Sequence, residues 1–361
     1  MIFLHLGTLY LRRTNVEWAL PLSQDPLHFL RTYCAIGVPL FYCLSGFILC
    51  LPFGKEVLLD GKAISIRRFY ARRLTRLEPP YIIALTAFFL VHLFVLNESF
   101  AEAFPHYLAS LFYLHSIIYG EWSTILPVAW TLEIEVQFYL VAPFFARYYF
   151  ARGLRLRRAL LVIAVLGFAT VETLCLEALA PYHLDRTLLT KAHYFLSGAL
   201  ICDVFITDRE FFKKRAVRWD VLFAVALLGS SAVRVLWGSA VLIDRFVFTA
   251  SLMIVFLCAF KGVLANRFFT HPWIYLTGGM CYTLYLLHYP FFFFTGTFFG
   301  VAHVADIFSV NFLLQMLWNI PLLALVATPF YLLIERPCMD RLWPQKLASF
   351  LRRRAPGSKT G

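Results

Sequence analysis

Charge is scarce in this chain. Only 15% of its 361 residues are Asp, Glu, Lys or Arg, against about 25% in a soluble domain. Phosphate-cradling and metal-protease motifs are missing as well: there is no G-x-x-x-x-G-K-[ST], no G-x-G-x-x-G and no H-E-x-x-H. These absences remove the usual grounds for an ATP-driven pump, a dinucleotide enzyme or a zinc enzyme. The eight cysteines include no C-x-x-C pair and no Cys/His metal spacing. Seven of them (34, 43, 50, 175, 202, 258, 281) fall in apolar runs and Cys338 follows the last run. They are expected to pack as small hydrophobes, with neither disulfides nor a structural metal.

What is present is apolar surface. Hydrophobic residues make up 60% of the chain, aromatics 18%, and the mean hydropathy is +0.71. The apolar residues come in continuous runs, not in the alternating ten-residue strands of an outer-membrane barrel. The expected fold is therefore all-α: a polytopic membrane helix bundle without a second soluble domain. Ten runs stand at about 1–10, 33–53, 79–96, 127–148, 159–178, 188–206, 220–237, 244–262, 273–298 and 309–334, which predicts about ten transmembrane helices. The first run is too short for a full span and predicts a truncated first helix, with an in-frame extension ahead of Met1. Residues 1–338 are taken as the transmembrane domain and 339–361 as a basic tail.

The net charge of +12 comes from 33 Lys and Arg against 21 Asp and Glu. The basic residues cluster in every second loop: 54–78, 147–158, 207–219, 263–272 and the tail after Glu335. That pattern orients membrane helices and argues against nucleic acid. It predicts that these loops and the C-terminus face the cytoplasm, while 11–32, 97–126 and 179–187 lie outside. By the same alternation 104–119, with His106 and His115, is an interfacial or re-entrant piece on the outer face.

Within the run from Pro127 to Tyr148 stand Glu133, Glu135 and Gln137, in Trp130-Thr-Leu-Glu-Ile-Glu-Val-Gln-Phe-Tyr139. A carboxylate at mid-membrane costs at least ~2.5–3.5 kcal/mol on insertion scales, so one that is kept there is usually in use. In a helix, 130, 133 and 137 share one face, and 131, 135, 138 and 139 another. Glu133 and Glu135 point about 160° apart at 3.6 residues per turn, so they do not form a dyad. One could serve chemistry while the other makes an interhelical hydrogen bond.

Two histidines lie in apolar runs: His5 in the first, and His288 in Tyr282-Thr-Leu-Tyr-Leu-Leu-His-Tyr-Pro290, where Pro290 should kink the helix. Each is either a packing residue or a functional one. The stretch Arg67-Arg-Phe-Tyr-Ala-Arg-Arg-Leu-Thr-Arg76 enters the third span. In a helix Arg72 and Arg76 share a face with Arg73 beside them. Guanidinium forks suit phosphate, although basic residues at a span's end also serve as lipid anchors. Ser45-Gly46 supplies small residues for close helix packing. Ser45 has no acid or histidine partner at helical spacing, which argues against a nucleophilic serine.

In order along the chain, Ile2-Phe-Leu-His5, Gly37-Val-Pro-Leu-Phe-Tyr-Cys-Leu-Ser-Gly-Phe-Ile-Leu49, Phe69–Arg76, Trp130–Tyr139, Tyr282–Pro290 and Glu335-Arg-Pro337 resemble the acyltransferase-3 family of integral membrane O-acyltransferases. The resemblance implies a ten-helix enzyme of the inner (cytoplasmic) membrane. Such an enzyme moves an acyl group, usually acetyl, from acyl-CoA to a hydroxyl of a cell-envelope or exported glycan. It implies His5 and Glu135 as catalytic residues. Trp130, Glu133, Gln137, Tyr139, Ser45 and His288 form the supporting pocket, and Arg72, Arg73 and Arg76 are donor-binding. Acyl-CoA is a co-substrate; no permanently bound cofactor or metal is implied. The chain departs from the family pattern at Glu133, where the family more often has a small residue, and in lacking an arginine ahead of the histidine. The rival from another class is a proton-coupled transporter or flippase of a lipid-linked or small polar substrate, with the intramembrane glutamates as coupling sites. The inverted repeats expected of a transporter do not occur among the motif-bearing segments.

Overall fold

The structure is a computed structural model and describes residues 1–13, 25, 27, 36–237, 242–300, 303–340 and 342–354. Cys34, Arg341, Lys359 and most of the 11–32 segment lie outside the described residues. All regular elements among the described residues are helical. The principal helices are α1 (Ile2–Arg13), α2 (Gly37–Leu58), α3 (Ile66–Phe94), α4 (Phe100–Leu111), α5 (His115–Tyr119), α6 (Trp130–Phe150), α7 (Leu154–Leu174), α8 (Leu188–Thr207), α9 (Val217–Trp237), α10 (Leu242–Lys261), α11 (Cys281–Phe298), α12 (Phe308–Phe330) and α13 (Trp343–Arg354).

Among the described residues, six helices are long and apolar enough to span a bilayer. A seventh is added if α7 and Leu176–Tyr182, bent by 75° at their break, form one span. The chain is thus a multi-pass membrane protein; six to seven candidate spans among the described residues do not confirm the number of about ten that the apolar runs suggested. The shortfall has local causes. Helix α1 has only 12 residues. The run 273–298 is divided at Met280 into Pro272–Gly279 and α11. The tyrosines, threonines and His288 of α11 make it less apolar than its phenylalanines suggest. Pro290 lies inside α11, and the interruption comes ahead of it. Helices α4 and α5, at 12 and 5 residues, are too short to cross, as expected for 104–119.

Helix α3 shows how the sequence tolerates proline inside a span. Ser65 caps its start by accepting from Arg68 N at 3.4 Å. Pro79 has no N–H to give to the carbonyl of Thr75. Trp343 Nε1 donates to that carbonyl instead, at 2.7 Å, and so docks α13 on α3.

Two hydrophobic clusters form. One joins α2, α6, α7, α8 and α10, and the other joins α1, α3, α4, α11, α12 and the segment before α6. In the first, α2 and α8 cross in backbone contact. A Cβ at Gly198 would lie 1.8 Å from the Cys43 carbonyl oxygen, and one at Gly46 would lie 1.9 Å from that of Phe195. Close packing through small residues is the expected role of Gly46, and it seats the neighbouring Ser45 against α6. Ile163, Leu317, Leu325 and Leu333 are exposed, as suits side chains that meet lipid tails.

Candidate active site

Glu135 sits five residues into α6 and is buried. Its Oε1 accepts from Ser45 Oγ of α2 at 2.7 Å and from Tyr139 OH, one turn on, at 2.5 Å. The acid partner that Ser45 lacks on its own helix is therefore supplied by a neighbouring one. Arg73 lies over the rings of Phe69 and Tyr139, at 3.5 and 5.7 Å from their centroids, and donates to the Phe69 carbonyl at 3.1 Å. Arg73 and Arg76 both act electrostatically on Glu135. Arg72 and Arg76 are exposed, and Arg73 is the one turned inward. Helical spacing groups 72 with 76; the contacts with Phe69 and Tyr139 are made by 73.

Glu133 and Gln137 face away from Glu135 and hold backbone. Glu133 Oε2 accepts from Ser116 N at 2.9 Å, fixing the start of α5. Gln137 Oε1 accepts from Leu188 N at 2.8 Å, fixing the start of α8. The two carboxylates thus divide as their 160° separation on the helix requires. Trp130, on the Glu133 face, stacks on Trp122 with centroids 6.4 Å apart.

His5 meets His288. Nδ1 of His5 and Nε2 of His288 are 2.8 Å apart, and the rings lie within 6° of parallel. His288 Nδ1 is 2.9 Å from the Leu284 carbonyl and 2.8 Å from that of Tyr285. Carbonyls only accept, so His288 carries its proton on Nδ1 and presents a lone pair at Nε2. His5 must then donate from Nδ1, which leaves the lone pair on its own Nε2. The order of donors fixes both tautomers, and it starts from the backbone of α11. That helix is itself anchored: buried Glu335 accepts from Thr283 N at 3.0 Å and from Thr283 Oγ1 at 2.5 Å at the helix start. His5 is paired with His288, not with Glu135.

Between the two groups lie Tyr42, Thr131 and Tyr285. Tyr42 OH donates to the Thr131 carbonyl at 3.3 Å, and the Tyr285 hydroxyl contacts the Thr131 hydroxyl and the Val128 carbonyl. Tyr42 and Tyr285 come from different clusters, so this polar layer joins the two halves of the bundle.

His5 lines a cavity of about 280 Å³ at the seam between the clusters. Tyr289 and Leu4 stand on one side, and Tyr42, Tyr194 and Phe248 on the other, with Trp122 and Trp130 along the wall. Glu172, Lys191 and Arg245 line it too. In the sequence each of these three stands inside an apolar run, where a single charge is outweighed by its neighbours. Only the packing of α7, α8 and α10 brings them to one wall.

A buried polar site inside a multi-pass helical bundle marks an integral membrane protein with a polar interior. The chain belongs to the acyltransferase-3 family: the acyltransferase domain of that family matches residues 1–336. The matched family is one of acyltransferase domains. The chain is similar to O-acetyltransferase OatA of Staphylococcus aureus (strain MRSA252), with 21% identity over 347 residues, covering 88% of this chain and 55% of the relative. It is also similar to peptidoglycan O-acetyltransferase OatA of Listeria monocytogenes, with 25% identity over 296 residues, covering 71% of this chain and 44% of the relative. A putative acetyltransferase, ORF330 of Acidianus two-tailed virus, is 34% identical over 116 residues, or 31% of each chain. The chain spans about half the length of the two OatA relatives. No solved structure matches it.

Proposed function

We propose that this protein transfers an acyl group, in the first instance acetyl, from acyl-CoA to a hydroxyl of a cell-envelope or exported glycan. The observation that carries the reading is the His5–His288 pair at the cavity wall, which leaves an unprotonated imidazole nitrogen of the kind a general base needs. His5 Nε2 takes the hydroxyl proton as the hydroxyl oxygen attacks the thioester carbonyl. The C–S bond breaks and the departing thiolate takes a proton from the carboxylic acid of Glu135; both groups then re-equilibrate with water. Ser45 and Tyr139 position Glu135. Arg73 and Arg76, with Arg72 at the exposed edge, hold the phosphates of CoA. The similarity to an O-acetyltransferase and to a peptidoglycan O-acetyltransferase supports an acetyl group and a carbohydrate acceptor.

Radiolabelled acetyl-CoA supplied to inside-out vesicles, with acetylated saccharide counted, tests this reading. The Arg73→Ala/Arg76→Ala variant should raise the apparent donor KM more than it lowers kcat. A lost charge-assisted phosphate contact costs about 1.5–3 kcal/mol, roughly 10- to 150-fold. A donor KM equal to the parent's in that variant would reduce the arginines to lipid anchors.

The same reading places the protein in the inner membrane, with 54–78 and the tail after Glu335 in the cytoplasm. Ser65 and Ser99 are both exposed and lie in adjacent loops. A cysteine at position 99 should react with an impermeant maleimide in intact cells, and one at position 65 only after permeabilisation. The reverse pattern would invert the topology.

A further inference from the structure

The cavity that His5 lines also carries a cluster of charged side chains. Glu172 is buried, with 3% of its side chain exposed, and binds Lys191 through Oε1 and Arg245 Nη1 through Oε2 at 3.2 Å. His193 Nε2 also lies 3.2 Å from Oε2, and Arg245 Nη1 donates to Tyr194 OH at 3.1 Å. Lys191 and Arg245 keep 21% and 18% of their side chains exposed, and both line the cavity together with His5. Two cations and one carboxylate line the cavity there. Asp244, a buried carboxylate that interacts with Arg245, is not among the residues lining it. Cations drawn into an apolar bundle cost free energy, which Glu172 and Asp244 together offset, so what an anion in the cavity would meet is the two cationic groups that face it and not a surplus of charge.

Building on the acyl-transfer reading above, we infer that this cavity is the acceptor subsite and that Lys191 and Arg245 select a saccharide bearing an anionic oxygen group, a carboxylate or a phosphate. At about 280 Å³ the space is near the lower end of ligand pockets, roughly 300–1,000 Å³. It suits one sugar unit, not a chain. Trp122 and Trp130 offer stacked aromatic surface along that unit. An anion held by Lys191 and Arg245 turns the rest of the ring toward His5, so a charge and a hydroxyl on the same sugar are read together. Glu172 holds the two side chains in place while the site is empty and shares them when it is filled.

The test is isothermal titration of the detergent-purified full chain, at fixed ionic strength, with three probes: methyl glucoside, methyl glucuronide and glucose 1-phosphate. At least one anionic sugar should bind about tenfold or more tighter than the neutral one, as charge-assisted contacts allow. Which of them does so separates a sugar carboxylate from a sugar phosphate. Lys191→Gln/Arg245→Gln should remove the selectivity. Glu172→Gln, which releases both cations from their internal partner, should increase it; a merely structural network would not strengthen binding when cut. Equal binding of all three probes, no measurable binding of any, or selectivity unchanged in the double variant would overturn the inference. Binding needs no turnover, so a protein that prefers the anionic sugar yet acetylates nothing would sink the transfer reading and leave the subsite standing.

Discussion

His5→Ala is expected to lower acetyl transfer by a factor of about 10²–10⁴, the usual contribution of a positioned general base, while the protein still folds and inserts. His5 lines the cavity and packs against His288 and Tyr289; its removal costs those contacts, while Arg13 still ties α1 to α11 through the Phe293 carbonyl and Thr297. Glu135→Gln should fall in the same range. It keeps the shape of the side chain and one oxygen for Ser45 and Tyr139, and loses only the carboxyl proton. Glu133→Gln should keep much of the activity, because its amide oxygen can still accept from Ser116 N. Glycan acetylation at matched membrane expression decides among these. Near-parental transfer by His5→Ala would remove the base assignment, and loss confined to Glu133→Gln would mean that the wrong face of α6 has been assigned the chemistry.

What could be seen in the sequence, and what could not, divides by range. The opposed roles of Glu133 and Glu135 follow from helical periodicity alone, which is local, and the structure gives each carboxylate its own partners. The fit of Gly46 against α8 follows from side-chain size. The bond from Ser45 to Glu135 links positions 90 apart and the one from His5 to His288 links positions 283 apart; no spacing on a single helix could reveal either. The sequence places both histidines in apolar runs and leaves each with two readings. The structure pairs them, which gives the half-buried His5 and the buried His288 a hydrogen-bond partner in each other. Arg73 shows the same limit: a helix wheel ranks arginines by mutual spacing, whereas the structure ranks them by which one faces Tyr139. Glu172, Lys191 and Arg245 were hidden for another reason. A lone charge inside an apolar run is outweighed by its neighbours in any hydropathy average, so three charges on three different helices give no sign in the sequence that they meet at one cavity.

His288 is the residue on which the tautomer of His5 depends, and its replacement separates positioning from packing. His288→Phe keeps an aromatic ring of similar reach but offers no acceptor to His5 Nδ1. The imidazole of His5 is then free to carry its proton on Nε2, where it would be needed as a lone pair. A base held in the wrong tautomer is severely impaired; in a serine-protease triad the comparable loss is about 10⁴. A fall in kcat of about 10²–10⁴ is therefore expected for His288→Phe, with the donor KM unchanged, because Arg73 and Arg76 are untouched. His288→Gln restores an acceptor near the position of Nε2 and should recover a large part of kcat, although glutamine is smaller and packs less well than phenylalanine. That order, the poorer packer being the better enzyme, is what a packing role cannot produce. Equal activity in the two variants, or a loss that tracks protein yield and thermal stability and not the presence of an acceptor, would show that His288 supports the bundle without setting the proton on His5.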